Sequence, residues 1–329
     1  RLFRGDATVA ATGAVPSPQW EHLTHQNDIT AIPDGGTASS SAPHAGSREI
    51  VFLANGDLVE VDDGGIYRRS NSADNTGDWF SLAGNLQVAE IHNIAYDSVR
   101  QQILVNGGSD TPVVSASPPS PTFTCPPDTC SDEVAVRERR NDPVECICEF
   151  EATWLHDSAL GGWREAASPS DLPDAQKNFA VAYDSARDVT LLFGGEDRAE
   201  ADCDDSGSGG CFGLWEWDGK LWQETFVASP TCDESLGTLP CARKDHVMTY
   251  LPGRAGPPAV PAVLLLFGGS AVEGSSSCGT CDRTWLRYDD GSWSSIAAGA
   301  TPAARYDAAM ATTVDPVSGE AIAYPIAIP

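Results

Sequence analysis

The sequence predicts an all-β chain folded as a β-propeller of five blades, each of four antiparallel strands, and three observations carry that reading. Hairpins with a Trp early in the second strand recur along the chain, and pairs of apolar strands lie between them. Gly (31 residues) and Pro (23 residues) punctuate both at close intervals. A four-strand unit repeating every ~40–50 residues cannot bury both faces of its own sheet, so successive units must stack around an axis.

The clearest hairpin is FGLWEWDGKLWQET at 212–225. Its Asp218-Gly219 pair sits between alternating apolar runs, which predicts a type I′ turn with positive φ at both central residues. Its counterparts are RTWLRYDDGSWSSI (283–296, with Trp293), ATWLHDSALGGWREA (152–166, with Trp163), GGIYRRSNSADNTGDWFSL (64–82, with Trp79) and RLFRGDATVAATGAVPSPQWEHL (1–23, with Trp20). Five apolar pairs alternate with them: 49–61, 91–108, 178–195, 246–269 and 306–329. Three of these pairs end on Gly-Gly, and two carry Ala-Tyr-Asp-Ser before a polar turn. The first strand of each pair is small and apolar, as a crowded axial position requires.

These units place blades at about 47–86, 89–167, 176–228 and 244–297, with a fifth made from 304–329 plus 1–25. The chain thus opens on an outer hairpin and closes on an inner pair. A shared sheet would hold both ends and leave no open edge, so Phe3 and Ile326 are expected as members of one sheet. Part of a six- or seven-bladed ring is the alternative. All 329 residues form a single domain on this reading.

The AYDSARDVTLLFGG…LWEWDGKLW pattern resembles Kelch-repeat propellers, in which Gly-Gly is followed by spaced aromatics, over about 176–297. The region 43–97 instead resembles Asp-box propellers of the sialidase, xyloglucan-hydrolase and sortilin type. It carries DDGGIYR and the S-x-D-x-x-G-x-W run of Ser72, Asp74, Gly77 and Trp79. The family's box has the tighter S-x-D-x-G-x-T-W spacing, from which this copy departs. Both resemblances imply a propeller; the second adds carbohydrate binding or glycoside hydrolysis as the alternative function.

Charge and cysteine bound the setting. The net charge of −27 and the scarcity of Lys and Arg argue against a nucleic-acid partner. Such a surface suits high salt, divalent cations or a basic partner. No apolar run approaches the ~20 residues of a membrane span. The opening RLFRGD has neither an initiator Met nor a signal peptide, and reads as the start of a processed piece. The ten cysteines fall as close neighbours: Cys125/Cys130, Cys146/Cys148, Cys203/Cys211, Cys232/Cys241 and Cys278/Cys281. Even number and local spacing favour disulfides in an oxidising compartment, hence an extracellular, cell-surface or periplasmic location. Zinc is the rival for the C-x-x-C at 278–281, although no matching ligand pair follows it. Cys146 and Cys148 are too close to bridge each other comfortably, so Cys125 and Cys130 are their better partners.

In a propeller the b–c and d–a connections share one face. The b–c segments 109–150, 196–212 and 270–282 and the d–a segments 24–47 and 228–244 put all ten cysteines and most long loops there. Loops on one rim of a rigid frame are where binding is expected. Acid concentrates in them, and Asp202, Asp204 and Asp205 in EADCDDSGSGG are the candidate calcium ligands, since Ca²⁺ takes several hard oxygens on a bendable loop. No catalytic residue is assigned. Gly46 stands where the xyloglucan-type pattern would have an acid, and the six histidines show no pairing beyond His22 and His25. No G-x-S-x-G, H-E-x-x-H or N-x-S/T motif occurs. The expected function is a non-enzymatic binding or structural module, a subunit of an extracellular assembly, meeting a protein or glycan through the loop face.

Overall fold

The structure, a computed structural model, describes residues 3–5, 9, 20–23, 43, 46–62, 64–73, 77–84, 86, 91, 93–106, 109–110, 134–137, 145–149, 153–157, 162–166, 173, 178–195, 213–228, 239–257, 259–271, 281, 283–296, 308–314 and 321–327. Every regular element among them is a strand, and no helix is long and apolar enough to cross a membrane. Four four-stranded antiparallel meanders form in chain order. Blade 1 is β3 (Glu49–Phe52), β4 (Leu58–Asp62), β5 (Gly65–Arg69) and β6 (Trp79–Ser81). Blade 2 is β7 (Ile94–Asp97), β8 (Gln102–Asn106), β12 (Thr153–Asp157) and β13 (Gly162–Glu165). Blade 3 is β14 (Ala180–Asp184), β15 (Val189–Phe193), β16 (Gly213–Trp217) and β17 (Trp222–Val227). Blade 4 is β19 (Val247–Leu251), β20 (Val263–Phe267), β22 (Thr284–Tyr288) and β23 (Trp293–Ser295).

The sheets pack face to face because each strand alternates side chains toward two neighbours. Val59, Val61 and Ile66 of blade 1 meet Ile94, Ile103, Val105 and Trp163 of blade 2. Ala95, Leu104 and Leu155 on the other face of blade 2 meet Val181, Leu192, Trp215, Trp217 and Trp222 of blade 3. Ala180, Leu191, Phe193 and Leu214 of blade 3 then meet Met248, Leu264, Leu266 and Trp285 of blade 4. The inner strands β3, β7, β14 and β19 touch in succession, followed by β24 (Ala308–Val314). Alanines at 95, 180 and 182 permit that approach. This is a β-propeller arrangement.

Three expectations are corrected. First, four complete blades form among the described residues, not five. Among the described residues, β1 (Phe3–Gly5) pairs only with β2 (Trp20–His22), and β24 only with β25 (Ala321–Ala327), so Phe3 and Ile326 lie in separate two-stranded sheets. Each hairpin satisfies its partner locally, whereas joining them would close the longest loop in the chain. Pro325 on β25 also has no N–H to give a further strand, as suits an edge. Both hairpins nevertheless flank the stack. β24 and β25 adjoin β19, and the Trp79 indole N–H donates to the Leu23 carbonyl at 3.4 Å. The same relation joins blades 2 and 1, where Trp163 donates to the Leu82 carbonyl at 2.6 Å. Leu23 follows Trp20 by the spacing with which Leu82 follows Trp79.

Second, the b–c segment 109–150 is not loop throughout. β9 (Ser109–Asp110), β10 (Val134–Arg137) and β11 (Glu145–Glu149) make a small sheet in the order β10-β11-β9. The alternation in Val-Ala-Val-Arg and Glu-Cys-Ile-Cys-Glu carried that signal. Third, Asp218-Gly219 is not a two-residue type I′ turn. The hairpin closes on Trp217 opposite Trp222, with Gly219 at φ 94° and the Asp218 carboxylate accepting the Lys220 and Leu221 N–H groups at 2.8 and 2.9 Å. An Asx turn uses the Asp side chain in place of a second positive φ. At 290–292 the Asp290 carboxylate likewise accepts the Ser292 N–H at 2.9 Å.

Candidate functional site

The loop-bearing end is built most fully at the junction of blades 3 and 4. After the d–a connection, the chain passes Cys241 and Ala242 into β18 (Arg243–Lys244), which pairs with β21 (Ser270–Ala271) just beyond the Gly-Gly of β20. This two-stranded clasp ties both connections to the frame. The Gly195 N–H donates to the Arg243 carbonyl at 3.0 Å, the Cys281 N–H to the Gly269 carbonyl at 2.9 Å, and the Asp245 N–H to the Asn178 carbonyl at 3.0 Å. The repeated Gly-Gly follows from the crowding. A Cβ on Gly194 (φ 63°) would stand 2.3 Å from the Arg243 carbonyl oxygen, and one on Gly269 (φ 93°) 2.6 Å from that of Lys244. Only glycine fits a left-handed backbone against another backbone.

Two basic side chains lie inside this clasp. Arg243 is fully buried; its Nε donates to the Cys241 carbonyl at 3.1 Å and its Nη1 to the Gly268 carbonyl at 2.9 Å. Burial alone lowers its guanidinium to about 9. His246, 5% exposed, stands edge-on to Phe193 with ring centroids 5.5 Å apart. Its imidazole is pushed down to about 3, chiefly by burial and then by the Arg243 charge.

Of the cysteines, Cys241 and Cys281 are described with their side chains. Both are buried at the clasp, and neither is a free thiol. Cys146 and Cys148 fall on β11, opposite Val136 and Val134. Cys125, Cys130, Cys203, Cys211, Cys232 and Cys278 lie outside the described residues, as do Asp202, Asp204 and Asp205, so the pairing scheme and the calcium loop fall there too. Among the described residues, no group of three or more His, Cys, Asp and Glu could hold a metal ion. Of the Asp-box resemblance, Ser72 donates to the Gly56 carbonyl at 2.7 Å, and Trp79 is buried beneath Arg69 at 5.7 Å; Asp74 is outside the described residues.

A seam of polar groups at the starts of the inner strands went unread in the sequence. Glu49 of blade 1 accepts the Ile94 N–H of blade 2 at 2.8 Å, and Asn93 of blade 2 donates to the Phe179 carbonyl of blade 3 at 2.7 Å. The Asn178–Asp245 backbone bond continues the seam to blade 4. Asn178 and Asp245 have φ of 61° and 55°, a repeat of conformation that Asn and Asp tolerate best among residues with side chains. Burial pushes the Glu49 carboxyl up to about 8. On β4, buried Glu60 is also raised to about 8, by desolvation first, then against a Ser47 hydrogen bond that lowers it and with the nearby Asp62 carboxylate. That pair faces no solvent, so it is an internal proton-holding pair.

The opposite, short-turn end carries a second seam. Asp97 and Asp184 end β7 and β14 and cap their turns by accepting the N–H groups of Val99 and Arg100, and of Ala186 and Arg187. Arg100 bonds Asp97 at 2.8 Å, Asp188 of blade 3, and the Asp218 carbonyl at 3.1 Å. Glu216 takes Arg187 at 2.9 Å and Arg287 of blade 4 at 2.9 Å. Tyr96 accepts the Ala54 N–H of blade 1 at 3.3 Å. Tyr183 donates to Asp188 at 2.7 Å, and burial with its acidic surroundings pushes its phenol far up. The Ala-Tyr-Asp-Ser repeat is thus an inter-blade tie. No family model matches this sequence, and no curated protein is significantly similar to it.

Proposed function

We propose that this chain is a secreted β-propeller that acts as a non-enzymatic binding module, presenting the connections of its loop-bearing end to a protein or glycan partner in an extracellular assembly. One observation carries the reading: the β18–β21 clasp. Around buried Cys241 and Arg243 two blades share backbone hydrogen bonds, at described residues that stand near 229–238 and 272–280 in the sequence. Fixed anchor residues lower the entropy that a flanking connection gives up on binding. The acidic residues of 196–212 and 228–244 match a basic or cation-bridged partner.

The test is a binding screen of the whole chain against extracellular proteins and a glycan array, with and without calcium. It runs beside a variant whose 200–210 segment is replaced by Gly and Ser and another in which 272–277 is so replaced. Partner binding that weakens at least tenfold in one variant while the fold is kept supports the reading. Turnover of a glycan, or binding indifferent to both replacements, overturns it.

A further inference from the structure

His246 has a position that the binding reading does not use. It follows the β18 strand and precedes β19, so it fills the wedge where blades 3 and 4 meet beneath the clasp. From β15 it meets the Phe193 ring and Gly194, whose hypothetical Cβ would lie 2.9 Å from its Cε1. From the β20 side it meets Gly269. Neither ring nitrogen makes a hydrogen bond of good geometry. The charge that acts on it is that of Arg243; the neighbouring Asp245 carboxylate is turned to the Ser270 hydroxyl at 3.3 Å. The Phe193 backbone favours the protonated ring, less strongly than burial and Arg243 oppose it, and among the described residues no carboxylate faces the imidazole.

We propose that His246 is an acid-operated latch: neutral, it seals the blade 3–blade 4 wedge, and when protonated it opens the β18–β21 clasp. The reason is geometric. A second cation cannot share an apolar wedge with buried Arg243, and the ring stands between Phe193 and Gly194 while Gly269 packs against its Cα and Cβ, so it gains water as the clasp parts. The closed form keeps the ring neutral, with its imidazole held near 3, while the opened form binds a proton at the ordinary 6.5. The opening equilibrium therefore grows about tenfold per pH unit below that value, reaching about 100-fold at pH 4.5. The consequence is a clasp that is closed at neutral pH and loosened in acid.

The experiment is native-state hydrogen exchange of the whole chain at several pH values, corrected for the intrinsic rate. The reporters are the amides of Gly195, Asp245 and Cys281, all bonded at the clasp or its seam. The amides of Ala166, bonded within blade 2, and Arg254, bonded within the β19–β20 turn of blade 4, are the controls. The clasp amides are expected to open about 100-fold more at pH 4.5 than above pH 7, with the controls unchanged. His246→Gln, close in size and unable to ionise, and His246→Phe should each abolish that rise. Clasp and control amides that accelerate together, or a His246→Gln variant that opens in acid as the parent does, would overturn the proposal. If His246→Phe fails to fold, the glutamine variant still decides.

Discussion

Arg100 at the short-turn end and Arg243 at the loop-bearing end both tie one blade to the next, in opposite ways. The Arg100 side chain is 34% exposed and meets two carboxylates and a carbonyl, so its charge is paired and partly watered. Arg243 is 0% exposed and meets carbonyls at the clasp, and its guanidinium is lowered to about 9 by loss of water. The same division runs through their neighbours. Asp97, Asp184, Asp188 and Glu216 pair with arginines at one end, while Glu49 and His246 are desolvated at the other. One end is held by many replaceable contacts; the other is held by a few buried groups whose charge state matters. Sensitivity to substitution and to pH should therefore concentrate at the loop-bearing end.

Glycine gives the sharpest way to break that contrast. Gly194→Ala puts a Cβ onto the Arg243 carbonyl and a side chain at φ 63°, and should lose about 3 kcal/mol or more, read by chemical denaturation. Gly291→Ala on the short-turn side has the same backbone problem at φ 82° but open space around the Cβ, and should lose only about 1 kcal/mol. Equal losses would dissolve the distinction.

The pH dependence of stability comes next. Glu60 keeps its proton in the fold up to about 8 against 4.5 in the unfolded chain. Its stabilising contribution is whole below 4.5 and is lost as pH rises through 8. Glu60→Gln should remove that loss, making the variant more stable than the parent at pH 8 by about 3 kcal/mol, with no gain at pH 4. Glu49 acts in the same direction. His246 acts oppositely, its contribution present above 6.5 and lost on acidification toward 3. Thermal melts across pH 4–8 check both slopes.

Glu216→Ala leaves Arg187 and the buried Arg287 without their shared carboxylate, and should lose about 2 kcal/mol. The smallest effect belongs to Arg100→Ala, under about 1 kcal/mol and shrinking further in high salt, since its ion pairs are open to water. A loss several times larger would mean that the short-turn seam is as critical as the clasp.

Much of the frame was legible because it rests on local pattern. Trp79, Trp163, Trp222 and Trp293 at the start of outer strands, and apolar pairs ending in Gly-Gly, each recur at a spacing that only four-stranded units satisfy. The seams were harder to read, since Glu49, Asn93 and Asn178 look like ordinary strand-start polar residues until the next blade arrives. Asp218-Gly219 misled for a related reason: an aspartate can cap its own turn, so the dipeptide does not fix the turn type.

By itself the sequence determined the all-β class and the recurrence of four-stranded antiparallel units, because periodicity and turn residues are local properties of a chain. Tertiary structure decided that four sheets are completed while the hairpins at 3–22 and 308–327 stay apart, and that Arg243 and His246 share a dry wedge. Strand pairing between distant segments and the loss of water around a charge both depend on what the rest of the chain brings alongside, which no local pattern encodes.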